Sequence, residues 1–445
     1  FFQIKPEVVV FPKDVADIKA LVKFTVQENS LQNPVSLTAR SAGTDMTGGP
    51  LSNSIVVEVT RHLNHIKEIG LDYAVTEPGV YYRDFEKETL KHNLIFPSYP
   101  ASRELCAMGG IVANNSGGEK TLTYGKTEKY VEEIKMVLRD GNEYTFKPLD
   151  MEELEYKKKT PYLEGEIYTK IHQLIGQNYE SIKAAQPHVS KNSAGYYLWN
   201  VWDKSKGIFD LTKLIVGSQG TLGIITQAKI KLVKPKKYSG MLVIFMKDIK
   251  PLAEVVNHLL KFKPESLESY DDHTFKVALK FFGDIARRLK GDLLTLAIKF
   301  IPEFWAVLTG GVPKLVMLAE FTGDDVDETT TRIKAAQKAL KEFNLKTKIE
   351  IGDEADKYWV VRRESFNLLR HHVKNMRTAP FIDDIIVRPE KLPEFLPCLY
   401  KILDEYKNLT YTLVGHVGDG NFHVIPLVKL SEKNIAGIVA ELSDK

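Results

Sequence analysis

Four glycine-dense segments lie in the first half of the chain: Ser41–Gly49 (SAGTDMTGG), Gly109–Gly118 (GGIVANNSGG), Tyr124–Gly125 and Gly217–Gly223 (GSQGTLG). Each adjoins a run that reads as a strand. Glycine lets backbone approach a ligand closely and reach positive φ, which turns successive N–H groups into an anion-binding nest. One such segment reads as a tight turn, but four within 183 residues point to a diphosphate held among strand ends. None reads G-x-G-x-x-G or G-x-x-x-x-G-K-[ST], so neither the dinucleotide fingerprint nor a P-loop accounts for them.

The rest of the chain must supply a large soluble body around those loops. With 445 residues, 43% hydrophobic and 27% charged, two or three domains are expected. Sixty-one basic against 58 acidic residues leave a formal +3, too weak a bias for nucleic-acid binding. Cys106 and Cys398 stand far apart and outside any C-x-x-C pattern, which excludes a disulfide framework or an iron-sulfur cluster and suits a cytoplasmic setting. The most apolar stretch, residues 293–318, is broken by Lys299, Pro302, Glu303 and Pro313, so buried or interfacial structure is expected there, with peripheral membrane contact as the alternative. The chain starts Phe-Phe without methionine, so an N-terminal piece is expected to be missing.

Along the first part, EVVVFP reads as a strand, KDVADIKALVKFTVQEN as a helix, and PVSLTAR and SIVVEVT as strands around the first glycine loop. Residues 151–190 are charged, helical and poor in β-branched residues, an excursion from the first domain. The basic, proline-containing KPKKY (234–238) suits a domain junction. Strands and helices then resume (MLVIFM, IKPLAEVVNHLLKF, KLVMLAEF, ETTTRIKAAQKALKEF, TYTLVGHVGDGNFHVIPLV), which predicts a second α+β domain with an antiparallel sheet.

TARSAGTDMTGG, EPGV, FPSYPASRELCAMGGIVANNSGGEKTLTYGKT, VLRDG and LIVGSQGTLGIIT occur here in the order found in the vanillyl-alcohol-oxidase-like, PCMH-type FAD-binding flavoproteins. The sequence most resembles their branch of D-lactate dehydrogenase, glycolate oxidase and D-2-hydroxyglutarate dehydrogenase. The resemblance implies an α+β fold: a two-part FAD-binding domain over 1–235, then a substrate or cap domain with an antiparallel sheet over 236–445, truncated at its C-terminus. It also implies that Ser41, Ala42, Gly43, Thr44, Asp45 and Met46 hold the FAD diphosphate. Pro100, Ser102, Gly109, Gly110, Ala113, Asn114 and Gly118 would line the cofactor, and Gly220, Thr221, Gly223 and Ile225 would lie near its nucleotide end. Thr44 stands where some relatives carry a tethering histidine, so non-covalent FAD is expected, and Cys106 reads as a small buried thiol.

Residues 416–423, HVGDGNFH, raise a separate question. An Asp419-Gly420 type I′ turn would pair His416 directly with His423, with Cβ atoms about 4.5–5.5 Å apart. Two imidazoles so placed either chelate a cation or face solvent. The resemblance implies a divalent metal (zinc, iron or manganese) on His416 and His423, with a third, carboxylate ligand and a base from a later segment that these residues do not include. It further points to Arg362, three residues after Trp359, as the carboxylate clamp. Arg363 is a second arginine at that place. Asp383 and Asp384 read as structural caps, and His371, His372, His62 and His65 as residues of solvated helix faces.

The function implied is an FAD-dependent dehydrogenase of a small D-2-hydroxy acid such as lactate, glycolate or 2-hydroxyglutarate, with the metal assisting loss of the hydroxyl proton. Electrons would pass to a separate acceptor: an iron-sulfur protein, an electron-transfer flavoprotein, a quinone or a cytochrome. An FAD oxidase, an alkylglycerone-phosphate-synthase-like transferase and a non-catalytic FAD-binding subunit of a larger complex are the alternatives.

Overall fold

The first strand, β1 (Val8–Val10), runs parallel to β3 (Ile55–Glu58), which also pairs in parallel with β2 (Leu37–Arg40), giving a small sheet of order β1-β3-β2. This is a computed structural model, and it describes residues 3–272, 311–352, 384–406, 410–428 and 435–445, together with Ala355, Tyr358, Trp359, Arg362, Arg377, Thr378 and Ile382. Arg363, His371, His372, Asp383 and the stretch 293–310 lie outside them. The crossover between β1 and β2 is the helix Val15–Glu28, capped by Asp14, whose side chain accepts from Asp17 N–H; Ile18 and Val22 are its buried residues.

A second, antiparallel sheet has the order β4-β5-β10-β6-β7, formed by β4 (Ile66–Ile69), β5 (Tyr73–Thr76), β6 (Val131–Val137), β7 (Glu143–Phe146) and β10 (Ile224–Lys231). β10 alternates buried and half-buried residues over most of its length, as a strand with one face on a core must. Its core includes Phe85, Phe96, Ile134, Phe146 and Tyr168. The expected excursion forms three helices, Met151–Lys158, Leu163–Gln177 and Tyr179–Ala184. The first carries a capping box of Asp150 and Glu153. A short hairpin of β8 (Trp202–Asp203) and β9 (Ile208–Phe209) returns the chain to β10.

From Tyr238, the last residue of the basic KPKKY stretch, a new sheet begins. Its order is β14-β11-β13-β12-β17-β18-β15, with β16 also paired to β18, and every pairing is antiparallel. The strands are β11 (Tyr238–Met246), β12 (Ser266–Asp271), β13 (Leu315–Gly323), β14 (Lys346–Ile351), β15 (Arg377–Thr378), β16 (Asp384–Ile386), β17 (Thr410–His416) and β18 (Asn421–Val428). The helices Leu252–Leu260, Val326–Ala339 and Leu392–Asp404 share a core with it, through residues such as Val256, Ile333, Leu396, Met317 and Phe422. The two-part α+β architecture with an antiparallel second sheet is therefore as expected.

The hairpin register is not. His416 pairs with Asn421, and His423 pairs with Val414. Val417–Asp419 forms a 3₁₀ turn and Gly420 takes the left-handed conformation (φ 70°, ψ 22°), so the connection is a four-residue loop rather than a two-residue type I′ turn. A Cβ on Gly420 would also lie 1.8 Å from the Val387 carbonyl oxygen, so only glycine fits. Nor do His62 and His65 lie on a helix: His62 sits in a turn and His65 just ahead of β4, with His65 Nδ1 2.9 Å from Glu77 Oε2.

Candidate functional site

The glycine segments of the first domain meet one another. A Cβ on Gly110 would sit 3.8 Å from that of Ser41, whose hydroxyl donates to Pro78 O at 2.9 Å. Gly217 N–H donates to Val112 O and Gln219 N–H to Ala113 O, while Gln219 Nε2 reaches Asn114 Oδ1 at 3.2 Å. Gly118 is buried against Tyr99 and Pro100; a Cβ there would fall 2.3 Å from Tyr99 O, so the loop closes only with glycine. Asp45 accepts from Gly49 N–H (2.5 Å) and Thr47 Oγ1 (2.9 Å), which folds the first loop on itself.

Among the described residues the N–H groups of Gly43, Thr44 and Met46 donate to no protein acceptor, and Gly43 takes φ 64°. Those are the features of a nest for an anion. Ala42 and Ser102 are half-buried, Gly220 and Thr221 are exposed, Thr221 Oγ1 lies 2.7 Å from Tyr196 Oη, and Gly223 and Ile225 lie at the start of β10 beside Val137 and Met136. Gly109 presses on Pro78 of the EPGV segment. Cys106 is buried, and burial pushes its thiol up to about 12.

The hairpin β17–β18 brings the histidines together by a different route from the one its sequence suggests. In the observed register His423 is the diagonal neighbour of His416 on one face, and the rings meet edge to face with centroids 5.4 Å apart. Each ring is held by a carboxylate. His416 Nδ1 lies 2.6 Å from Glu268 Oε1, and His423 Nδ1 lies 3.1 Å from Asp384 Oδ1. Asn421 Nδ2 donates to Asp384 Oδ1 (2.8 Å) and Ile385 O (3.1 Å), fixing that carboxylate in turn.

Glu268 escaped the sequence reading. It sits in β12, whose six residues are all buried between β13 and β17; Leu267 packs into the helical core, and Glu268, one residue on, points to the opposite face. Arg362 Nη2 donates to Glu268 Oε2 at 3.1 Å, and its side chain is only 10% exposed, so this is a buried ion pair rather than a surface one. Its Nε is buried without a partner. Burial pushes the Glu268 carboxyl up while Arg362 and Lys191 pull it back. Burial drives His416 well below the ordinary imidazole value, and the charges of Lys191, His423 and Arg362 push the same way, which favours the neutral ring. For Asp384 burial works upward, but the bond to His423 and that ring's charge hold the carboxyl far below its usual range. Asp384 is thus a partner of the histidine face, not merely a cap.

Lys191, from the stretch after the helical excursion, reaches this hairpin from the first domain. Its Nζ lies 3.5 Å from Gly118 O, 3.5 Å from Asn421 Oδ1 and 3.8 Å from Asp419 Oδ2. The two domains also join at Glu265, which receives Lys120 Nζ at 2.6 Å. The Gly118 loop and the histidine hairpin therefore face each other across one lysine. As to a metal, His416 and His423 offer two donors whose Nδ1 atoms are already held by carboxylates, the usual support of a ligating imidazole. Among the described residues, no group of three or more His, Cys, Asp or Glu side chains is placed to hold an ion. No described helix is long and apolar enough to cross a membrane.

Residues 6–147 match the family model of an FAD binding domain, and residues 236–445 match that of FAD linked oxidases, C-terminal domain. Over its full length the chain is 27% identical to D-2-hydroxyglutarate dehydrogenase of Pseudomonas putida, of which it spans 43%. It is 25% identical to glycolate oxidase subunit GlcD of Bacillus subtilis, over 95% of this chain and 73% of that one. D-lactate dehydrogenase of Archaeoglobus fulgidus is also 25% identical, over 95% and 75%. Among solved structures, an alkyldihydroxyacetonephosphate synthase superposes with TM-score 0.66 at 15% identity, covering 98% of this chain and 70% of that one. The 4-ethylphenol oxidase from Gulosibacter chungangensis gives 0.63 at 14%, over 98% and 78%. These two speak for the fold alone.

Proposed function

Because the chain belongs to the FAD linked oxidases, carrying an FAD binding domain ahead of their C-terminal domain, we propose that it oxidises a small D-2-hydroxy acid of the lactate, glycolate or 2-hydroxyglutarate class. The observation that carries this reading is the pair Glu268–His416, a carboxylate-held neutral imidazole on a hairpin that faces the Gly118 loop. The names of the relatives support the substrate class.

In this reading the first domain holds FAD non-covalently. The N–H groups of Gly43, Thr44 and Met46 take the diphosphate, with Ser41, Ala42 and Asp45 shaping the loop. Pro100, Ser102, Gly109, Gly110, Ala113, Asn114 and Gly118 line the cofactor, and Gly220, Thr221, Gly223 and Ile225 border its nucleotide end. Bound FAD supplies the hydride acceptor. Glu268, anchored by Arg362, accepts the Nδ1 proton of His416 and leaves Nε2 as a free base for the substrate hydroxyl proton. Low solvent access keeps that base uncharged until it acts. His423, fixed by Asp384, stands beside it and completes the polar wall. Arg362, with its Nε buried and unpartnered, clamps the carboxylate of the acid. Were a divalent metal, zinc, iron or manganese, bound, it would take the Nε2 atoms of His416 and His423 as two of its ligands and supply Lewis-acid polarisation of the hydroxyl, and the hydroxyl proton would then go to a base other than His416.

With two cysteines, one buried and one exposed, these residues build no cluster, so the electrons leave to a separate acceptor such as an iron-sulfur protein, an electron-transfer flavoprotein, a quinone or a cytochrome. A cytoplasmic setting accords with unpaired thiols. The test is anaerobic bleaching of the flavin at about 450 nm by D-lactate, D-2-hydroxyglutarate and glycolate. Reduction by at least one of them is expected. A yellow protein that none of them bleaches overturns the reading.

A further inference from the structure

Among the described residues, two buried cations, Arg362 and Lys191, lie beside the histidine hairpin, and the proposed reaction uses only Arg362. Arg362 is matched by Glu268 at 3.1 Å. Among the described residues Lys191 has no partner so close: the residue is 9% exposed, and the polar atoms it meets are the Gly118 carbonyl and Asn421 Oδ1, both at 3.5 Å, with Asp419 Oδ2 at 3.8 Å. An ammonium has three donors and ordinarily fills them at about 2.7–3.2 Å, so these contacts leave it under-satisfied. Taking a lysine out of water without close partners is costly, and a protein keeps such a group where something else completes it.

Its surroundings fix where that something lies. Gly118 closes the loop assigned to the cofactor, and Asn421 opens the strand that carries His423, so Lys191 stands between the flavin side and the histidine side. The loop bearing it is pinned from below: Lys126 Nζ donates to Asn192 O at 2.5 Å and to Ser193 Oγ at 2.9 Å. Burial lowers Lys191 below its ordinary value and Arg362 works the same way, while the carboxylates of Asp419, Glu268 and Asp384 favour its charged form. Glu268 and Asp384 are already spent, on Arg362 and His416 and on His423 and Asn421 respectively.

We propose that Lys191 binds a second carboxylate of the substrate, so that the site favours a 2-hydroxy acid with two carboxylates over one with a single carboxylate. This rests on the hydroxy-acid reading above. Arg362 takes the carboxylate next to the hydroxyl, and Lys191 takes the distal one. The competing account is an ion pair of Lys191 with Asp419 that merely fastens the domains.

The test compares the wild-type chain, Lys191→Met, Lys191→Gln and Lys191→Arg, each with FAD content and Tm recorded. Flavin reduction is measured with D-2-hydroxyglutarate and D-malate against D-lactate and glycolate. In parallel, calorimetry measures binding of 2-oxoglutarate against pyruvate, which needs no turnover. Loss of one charge-assisted hydrogen bond predicts that KM for the dicarboxylates and Kd for 2-oxoglutarate rise roughly 10- to 100-fold in the Met and Gln variants. Values for the monocarboxylates stay within about threefold, and Lys191→Arg restores most of the preference. Equal effects on both classes, or a fall in Tm and FAD content with the preference unchanged, overturn the proposal in favour of the fastening role. A wild-type chain that binds 2-oxoglutarate no better than pyruvate also overturns it. If no acid reduces the flavin yet 2-oxoglutarate binding depends on Lys191, the reaction is wrong and the subsite stands.

Discussion

Glu268 Oε1 lies 2.6 Å from His416 Nδ1, although 148 residues separate the two in the chain. Glu268→Gln keeps the shape but can hold the wrong tautomer of the ring. Flavin reduction should slow by roughly 100-fold or more, on the scale of a lost acid–base contribution, with FAD content unchanged. Stopped-flow reduction checks this, and an unaltered rate would remove Glu268 from the proton path. Glu268→Ala should instead lower stability, by about 3–5 kcal/mol, because it leaves Arg362 buried and unpaired.

His416→Ala is expected to abolish any bound divalent metal while leaving FAD in place, because the loops proposed to hold FAD lie in the other domain. Elemental analysis and the flavin absorbance of the same sample decide it. Loss of flavin together with metal would mean that the two sites are one.

Burial lowers Lys126 to about 8 from its ordinary 10.5. Below about pH 8 the folded and unfolded chains both carry this proton. Between about 8 and 10.5 the unfolded chain binds a proton that the folded one has released, so this group makes stability rise with pH across that window. The full difference is at most about 3 kcal/mol. Subtracting denaturation curves of Lys126→Met from those of the wild type should isolate a positive slope there; a flat difference would contradict the assigned burial.

The two thiols should separate cleanly by reactivity. Cys398 is exposed, and Cys106 is buried with its thiol raised to about 12. Iodoacetamide at pH 8 should label Cys398 alone in the native protein and both after unfolding, as read by peptide mass spectrometry.

Gly420→Ala meets both a left-handed backbone and the Val387 carbonyl. A destabilisation of about 1–3 kcal/mol is expected, together with slower flavin reduction as the hairpin shifts. Thermal melts and stopped-flow traces on one preparation test the coupling, and a variant as stable and fast as the wild type would show that the turn does not set the histidines.

The glycine clusters and the antiparallel second sheet could both be read from the sequence, because each rests on local chemistry: glycine among strands and apolar periodicity. The hairpin was legible as a hairpin but not in register. Asp-Gly signals a two-residue turn, and the position of Gly420 against Val387, a contact with a distant segment, selects the longer loop instead. That change still leaves His416 and His423 on one face, since shifting the pairing by two residues preserves the alternation of side chains. Glu268 and Lys191 were not legible at all. An acid in SLESYD and a lysine in SKNSAG look like ordinary polar positions, and only the strand order and the docking of the domains bury them.

Lys191 comes from one domain, and the hairpin it serves comes from the other. Exchanging the C-terminal half between relatives would then transfer a histidine face without the lysine loop matched to it. Selectivity in such hybrids should track the pairing of donor halves more closely than the origin of either half, and the shortest exchange that carries it should include residues 185–200 along with the sheet.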